Sequence, residues 1–320
     1  MDLVTRVTRL PRSGETVMGT SFFTTPGGKG ANQAVAAAKL NAKTMMVGRV
    51  GDDEWGSVLI SGLAATGVET TGVHVESGTH SGVAVITVAE SGENQIVGVY
   101  GANDRLDSTD VDRLKQRLVE TKVLLLQLEV TVDAVQQAAR AAHDAGVTVV
   151  LDPAPVRQES IEDIYPFVDF LIPNEVEASQ LVGFNVTDPI TAMTASRIFH
   201  TKGIKIVIIK LGAKGAFYSS LRSPLELSDL LTVDETNLES HWEARVNTLF
   251  IPAFKVNAID SVAAGDAFAG GLAVALCEGK SHLEAVRWGC AAGALATTKI
   301  GAQVAMSDRA SFDAFLESAA

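Results

Sequence analysis

Between Ile259 and Gly271 the chain reads IDSVAAGDAFAGG, and this stretch constrains the fold more than any other. It follows an apolar, β-prone run (Phe250, Ile251, Phe254, Val256) and leads into a helical pattern with Phe268, Leu272 and Leu276 at four-residue spacing. A strand, a tight turn and a helix make an anion site, because the first amides of a helix lack intrahelical partners and sit at the positive end of its dipole. Ala263, Ala264 and Gly265 carry so little bulk that a phosphate can approach that backbone closely. Asp266 stands in the same turn and would repel a phosphate unless it took part in the chemistry. The fitting role is to accept the proton of an alcohol that attacks the phosphate. Taken alone, Asp266 also reads as a helix cap.

A second motif, PGGKGANQAVAAAKL from Pro26 to Leu40, narrows the choice. It has no GK[ST] ending and is therefore not a Walker A loop, and with Gly28, Gly30 and Gln33 it lacks the third glycine of a dinucleotide fingerprint. Gly27 and Gly28 instead offer bare backbone to a polar ligand, while Lys29 and Asn32 supply donors from a helix start. Ala34 to Ala38 give that helix a small face for close packing. A small polyol suits this set.

With GGKGANQAVAA near the start and DSVAAGDAF near the end, the chain closely resembles the ribokinases of the PfkB-type carbohydrate kinase family, from Asp2 to about Phe315. The resemblance implies ATP-dependent phosphorylation of D-ribose at its 5-hydroxyl, giving D-ribose 5-phosphate and ADP. Asp266 would be the general base and the Ala263–Gly265 amides the anion hole. Asp2 and Glu129 would join Gly27, Gly28, Lys29 and Asn32 on the sugar; Glu129 directly follows the apolar run VLLLQL. Asn174 and Glu177, in IPNEVEA, match a motif tied to magnesium through water, although an Asn and a Glu at this spacing also form a capping box. The segment Lys210, Leu211, Gly212, Ala213, Lys214, Gly215 matches the nucleotide loop; Lys210 replaces a common hydroxyl residue and either faces the ATP phosphates or points to solvent. Cys290 falls near the adenine position, where a buried packing thiol is the default. A potassium loop is implied at Asp260, Val262, Ala296, Lys299 and Gly301, weakened by Ala305, where a Ser is expected. The alternatives are a fructokinase or deoxyribokinase of the same family, or a sugar- or nucleotide-binding regulator without catalysis.

Apolar runs followed by helical patterns alternate through the chain, as in Thr44–Val50 before Trp55–Ala65, Val123–Leu128 before Val132–Ala145, and Val168–Ile172 before Glu175–Leu181. Continuous apolar strands of this kind predict an α/β fold, a doubly wound and mostly parallel sheet covered by helices on both faces, with ligands beyond the strand C-terminal ends. Two polar, β-prone patches, 5–25 and 81–103, read on their own as edge hairpins of the main domain; the resemblance implies instead that they form a discontinuous lid sheet over the sugar and a homodimer contact. The whole of 1–320 then reads as a single kinase domain, and 222–247 as a surface insertion. Family members open on an apolar strand of which only the final Asp has a counterpart here, Asp2. The core sheet is therefore expected to lack its first strand, or the chain to continue upstream.

A net charge of −12 over 320 residues argues against nucleic-acid or anionic-membrane partners. Two cysteines, Cys277 and Cys290, fit a reducing, cytoplasmic setting, and no apolar run reaches membrane-spanning length. The six histidines show no metal-ligand spacing.

Overall fold

The computed structural model describes residues 1–222, 242 and 245–319. The proposed insertion 222–247 therefore lies almost wholly outside the described residues. Six strands form the main sheet: β7 (Val123–Leu126), β8 (Thr148–Leu151), β9 (Phe170–Leu171), β10 (Ile206–Lys210), β11 (Gly215–Leu221) and β12 (Val246–Pro252), in the order β12-β11-β10-β9-β8-β7. The pairs from β7 to β10 are parallel, and β11 and β12 close the edge antiparallel.

Side-chain alternation divides the interior into two cores. Val150, Phe170, Ile206, Ile208, Ala216 and Tyr218 point to one face, where helices α1 (Lys29–Lys39), α7 (Ala264–Cys277), α8 (His282–Ala296) and α9 (Arg309–Ser318) pack. Val149, Leu151, Leu171, Val207, Ile209 and Phe217 point to the other, under α4 (Val132–Asp144), α5 (Glu175–Val182) and α6 (Pro189–Thr201). Burial on both faces is why these strands read as unbroken apolar runs rather than alternating ones. β8 is followed by a 3-10 segment at Glu162–Phe167 with Pro166 inside it, where a proline disfavours a longer α-helix.

The lid is a separate four-stranded sheet, β2-β1-β5-β6, made by β1 (Asp2–Val7), β2 (Gly19–Thr25), β5 (Val83–Ala89) and β6 (Asn94–Val99). Its β5–β6 hairpin turns at Ser91 and Gly92, where Gly92 has φ 89° and its amide donates to the Ala89 carbonyl. The first strand of the chain thus belongs to the lid and not to the main sheet. A third sheet pairs β3 (Met45–Gly51) with β4 (Glu69–Glu76), the two being joined by α2 (Glu54–Ala65).

The core sheet is therefore not continuous from β3 onwards. Among the described residues no strand bonds between β3 and β7. A cavity of about 640 Å³ separates them, lined by Val47 and Gly48 on one side and Leu124 and Leu125 on the other. It runs on to Asp2, Gly27, Gly28 and Glu129. The remaining short helix, α3 (Ser108–Lys115), is anchored to β3 through the buried Asp110, which accepts from Arg49 Nε at 2.8 Å.

Helices α1 and α7 cross at backbone distance. A Cβ placed on Gly270 would stand 2.5 Å from the Ala36 Cβ and 3.1 Å from the Gln33 carbonyl, and one on Gly271 would stand 2.8 Å from Ala292 of α8. Alanine in place of Gly270 gains about 1 kcal/mol of helix propensity but must push apart two backbones, and overpacking of this kind typically costs about 1–3 kcal/mol. Gly270→Ala is expected to lower the thermal midpoint, and to lower catalytic turnover with it because α1 carries Asn32 and Gln33; a melting curve at or above that of the parent would contradict the crossing.

Candidate active site

The site collects at the C-terminal ends of β7, β8 and β10 and at the starts of α1, α5 and α7. The α7 start departs from the expected strand, tight turn and helix: β12 ends at Pro252, so Phe254 and Val256 lie outside the strand, and residues 253–263 form an irregular connection before the helix begins at Ala264. Ala263, its N-cap, is held in the left-handed region at φ 58°, and among the described residues no side chain caps this end. A non-glycine residue there is strained by roughly 1–3 kcal/mol, a kind of strain that clusters at functional sites. The helix therefore presents uncapped amides beside Asp266, which is the condition for anion binding. Asp266 is not the cap of this helix.

The Asp266 carboxylate is buried and held by α1. Asn32 Nδ2 donates to its Oδ2 at 2.9 Å and Gln33 Nε2 to its Oδ1 at 3.1 Å. Gln33 is itself fixed from two sides. Its Nε2 also donates to Asp152 Oδ2 at 3.0 Å, and its Oε1 accepts from Gln127 Nε2 at 2.5 Å. Burial pushes the Asp266 carboxyl up to about 6 against the pull of the Lys29 ammonium and of Asn32, while Asp152 adds to the rise. Lys29 is also buried, which disfavours its charge, yet Asp266, Asp152, Glu129 and Glu177 together hold it above the usual lysine value. Asn32 Oδ1 is a buried acceptor without a hydrogen-bond partner among the described residues. Such an atom is costly to leave unsatisfied, and a ligand hydroxyl would satisfy it.

The remaining sugar-side candidates line the wall of the same cavity. Glu129 Oε2 accepts from the Lys29 amide at 2.7 Å and so closes the start of α1. Its loop is clamped by Arg157, whose guanidinium donates to the Leu128 and Val130 carbonyls, each at 2.8 Å, and lies over the Tyr100 ring. Asp2 packs so tightly on Gly27 that any side chain at Gly27 would overlap its carboxylate. Burial raises the Asp2 carboxyl above its ordinary value.

On the nucleotide side, Asn174 and Glu177 form a complete capping box on α5: Glu177 takes the Asn174 amide at 2.7 Å and the Asn174 side chain at 2.8 Å, and Asn174 Oδ1 takes the Glu177 amide. With their oxygens engaged in this way, the two residues fit a magnesium ion only through its water shell, which that cation commonly keeps. Gly212, at φ 54°, and Gly215, at φ 126°, shape the turn after β10, and a side chain on Gly215 would overlap the Ile251 carbonyl. Leu211 is buried in the core below α5 and α6, so only its backbone can face a ligand, and Lys214 Nζ donates to the Thr187 carbonyl at 2.6 Å. Lys210 turns inward: its Nζ donates to Asp152 Oδ1 at 2.9 Å. Cys290 packs against the α7–α8 core, and burial pushes its thiol up to about 12, so it stays protonated. Asp260 joins the candidate cation residues by accepting from the Gly301 amide at 2.9 Å and the Val262 amide at 3.0 Å. Ala296 and Ala305 are both buried nearby in the chain.

A family model described as pfkB family carbohydrate kinase matches residues 1–309. The chain belongs to the PfkB family of carbohydrate kinases. Among the kinases it resembles, the ribokinase of Haemophilus influenzae is 39% identical over 318 residues, covering 99% of this chain and 96% of that one. The deoxyribokinase of Salmonella typhi is 37% identical over 270 residues, covering 84% and 80%. The structure of an Arabidopsis thaliana ribokinase, complexed with ribose and ATP, superposes with a TM-score of 0.82 at 30% identity, covering 99% and 95%. This PfkB kinase is thus a sugar kinase of the ribokinase kind, and among its described residues no helix is long and apolar enough to cross a membrane.

Gln33, Asp152 and Gln127 were not among the residues expected from sequence. Asp152 directly follows β8 and obeys the same strand-end rule that selected Glu129 and Asn174. A general base works only when ionised, so were Asp266 that base, a carboxyl raised to about 6 would make kcat/KM for the sugar fall as pH drops through about 6. For stability the sign is reversed: the folded protein holds this proton more tightly than the unfolded chain, so the contribution of Asp266 is present below the ordinary value of 3.8 and lost as pH rises through 6. A pH–rate profile of the free enzyme checks the first statement, and an acid limb near 4 would contradict it.

Proposed function

We propose that this kinase transfers the γ-phosphoryl group of ATP to the 5-hydroxyl of D-ribose, giving D-ribose 5-phosphate and ADP, with Asp266 as general base. The observation that carries this reading is the pairing of a buried, donor-held carboxylate with the uncapped start of α7 and with the unsatisfied Asn32 Oδ1 beside it. ATP bound with magnesium would supply an electrophilic phosphoryl group whose oxygens carry the developing charge. Asp266 orients the attacking hydroxyl and takes its proton, while the amides after Ala263 face the phosphoryl oxygens. Asp2, Gly27, Gly28, Lys29, Asn32 and Glu129 hold the sugar, and the lid sheet covers it from water. Asn174, Glu177 and the turn Lys210–Gly215 face the nucleotide and the water shell of its magnesium.

Ribose is preferred to 2-deoxyribose on this reading because the wall carries more acceptors than a single hydroxyl can satisfy: Asp2, Glu129 and Asn32 Oδ1. A 2-deoxy sugar leaves one of them unpaired, and sites built to bind a hydroxyl discriminate strongly against analogues that lack it. The 37% identity to a deoxyribokinase makes 2-deoxyribose the competing substrate to test. A coupled ADP-release assay over pentoses and hexoses is expected to give D-ribose a kcat/KM at least about 10-fold above 2-deoxyribose; equal values would move the assignment to the deoxy sugar.

Potassium activation and a lid-mediated homodimer belong to the same proposal. The first is supported by the Asp260–Gly301 contact, and the second by Phe22, Ile96 and Val97, apolar and exposed on the lid strands. Ala305 offers no hydroxyl, so the rate is expected to rise with potassium by only a few-fold. Rate against potassium at constant ionic strength checks this, and a flat response would remove potassium from the account.

A further inference from the structure

Lys210 leaves the end of β10 with its main chain fixed: its amide donates to the Pro173 carbonyl at 2.8 Å, and it forms a parallel bridge with Asn174. Its side chain is 12% exposed and that of its partner Asp152 is 3% exposed. The pair reaches over β9, from the end of β10 to the end of β8, across strands that backbone hydrogen bonds already join. A buried ion pair at such a place adds little to the sheet, since desolvation offsets most of its attraction. Two further contacts give it a direction. A methyl group on Gly265 would stand 3.5 Å from Lys210 Nζ, so the ammonium overlies the open end of α7. The second Asp152 oxygen accepts from Gln33, and Gln33 donates to Asp266. One chain of polar contacts thus joins the ammonium over the anion hole to the carboxylate beside it.

We propose that Lys210 binds the terminal phosphate and neutralises its developing charge during transfer, and that Asp152 is the positioning residue that keeps the Lys210 ammonium over the start of α7 while Gln33 keeps it in register with Asp266. This rests on the reading of the α7 start as the site of phosphoryl transfer. The lysine gives that site a charge in addition to its amides, and the carboxylate prevents a flexible lysine side chain from swinging away when no phosphate is present. Asp152 does not itself meet the phosphate, because its two oxygens are taken by Lys210 and Gln33.

The test compares Lys210→Met, Lys210→Arg, Asp152→Asn and the double variant Asp152→Asn, Lys210→Met with the parent. Calorimetry with ADP and with a non-hydrolysable ATP analogue is the readout apart from turnover. Lys210→Met is expected to weaken the analogue about 10-fold, ADP less than about 3-fold, and to lower kcat about 10²-fold, the loss that follows removal of one charge-stabilising donor. Lys210→Arg keeps the charge and recovers part of both. Asp152→Asn keeps the lysine but frees it, so kcat falls about 10-fold with the sugar KM nearly unchanged, and on the Lys210→Met background it adds nothing further, as members of one unit do. The groups acting on Asp266 are Lys29, Asn32 and Gln33 from α1 and Asp152 from the end of β8; removing the Asp152 charge moves the acid limb of kcat/KM to lower pH. A purely structural pair would lower the melting point and leave the analogue-to-ADP ratio, kcat and the acid limb where they were, and that result, or independent losses in the double variant, would overturn the proposal. The acid limb of the parent tests Asp266 as base on its own, so the two assignments fail separately.

Discussion

The close crossing of α1 and α7 is the constraint on which the site depends. Asn32 and Gln33 reach Asp266 over a sequence separation of more than two hundred residues, and side chains as short as these span the gap only because Gly270 lets the Ala36 face of α1 approach to backbone distance. The small residues of both helices are there for this approach and not for burial energy, which comes from the larger side chains of the sheet, about 1.5–3 kcal/mol for each aliphatic group removed from water. Position, depth and charge of the Asp266 carboxylate all follow. Held at the bottom of the crossing, Asp266 loses water, gains three close donors or cations in Asn32, Gln33 and Lys29, and takes a protonation range suited to a general base near neutral pH.

The price in stability is local. A carboxyl raised from 3.8 to about 6 is worse off in the folded protein above pH 6 by something on the order of 3 kcal/mol. The strained Ala263 and the unpaired Asn32 Oδ1 act in the same direction. Each is a group kept ready for a partner, and the two-layered core around the sheet offsets them.

Much of this could be read from the residues. The alternation of apolar runs and helical patterns gave the layered α/β fold, and the two glycine-containing motifs fall on the two helix starts that meet at the candidate site, because close helix contacts leave little freedom in residue size. Three things were hidden. Gln33 looked like a failed fingerprint position, since the hydrogen bonds that give it meaning come from Asp152, Asp266 and Gln127, all remote in sequence. The direction of Lys210 is open in the sequence, because a lysine at a strand end can turn to solvent unless a buried carboxylate holds it, and Asp152, which does so, lies 58 residues away. The break between β3 and β7 is a matter of pairing, which periodicity within a strand does not report; the sequence hinted at it only through the opening residues, whose strand belongs to the lid.

The central claim is that Asp266 is the base and not a structural carboxylate, and Asp266→Asn tests it most directly. The amide matches the carboxylate in size, and Asn32 can reverse its own amide to meet it, so the fold is kept and the buried charge is gone. Measured together, steady-state turnover, ribose binding by calorimetry and the melting curve at pH 8 are expected to show kcat lower by about 10²–10⁴-fold, ribose affinity within a few-fold of the parent and a melting point no lower than that of the parent. A folded variant that binds ribose and keeps more than about a tenth of the parent turnover would contradict the account, because even the smallest loss expected of a missing general base is larger.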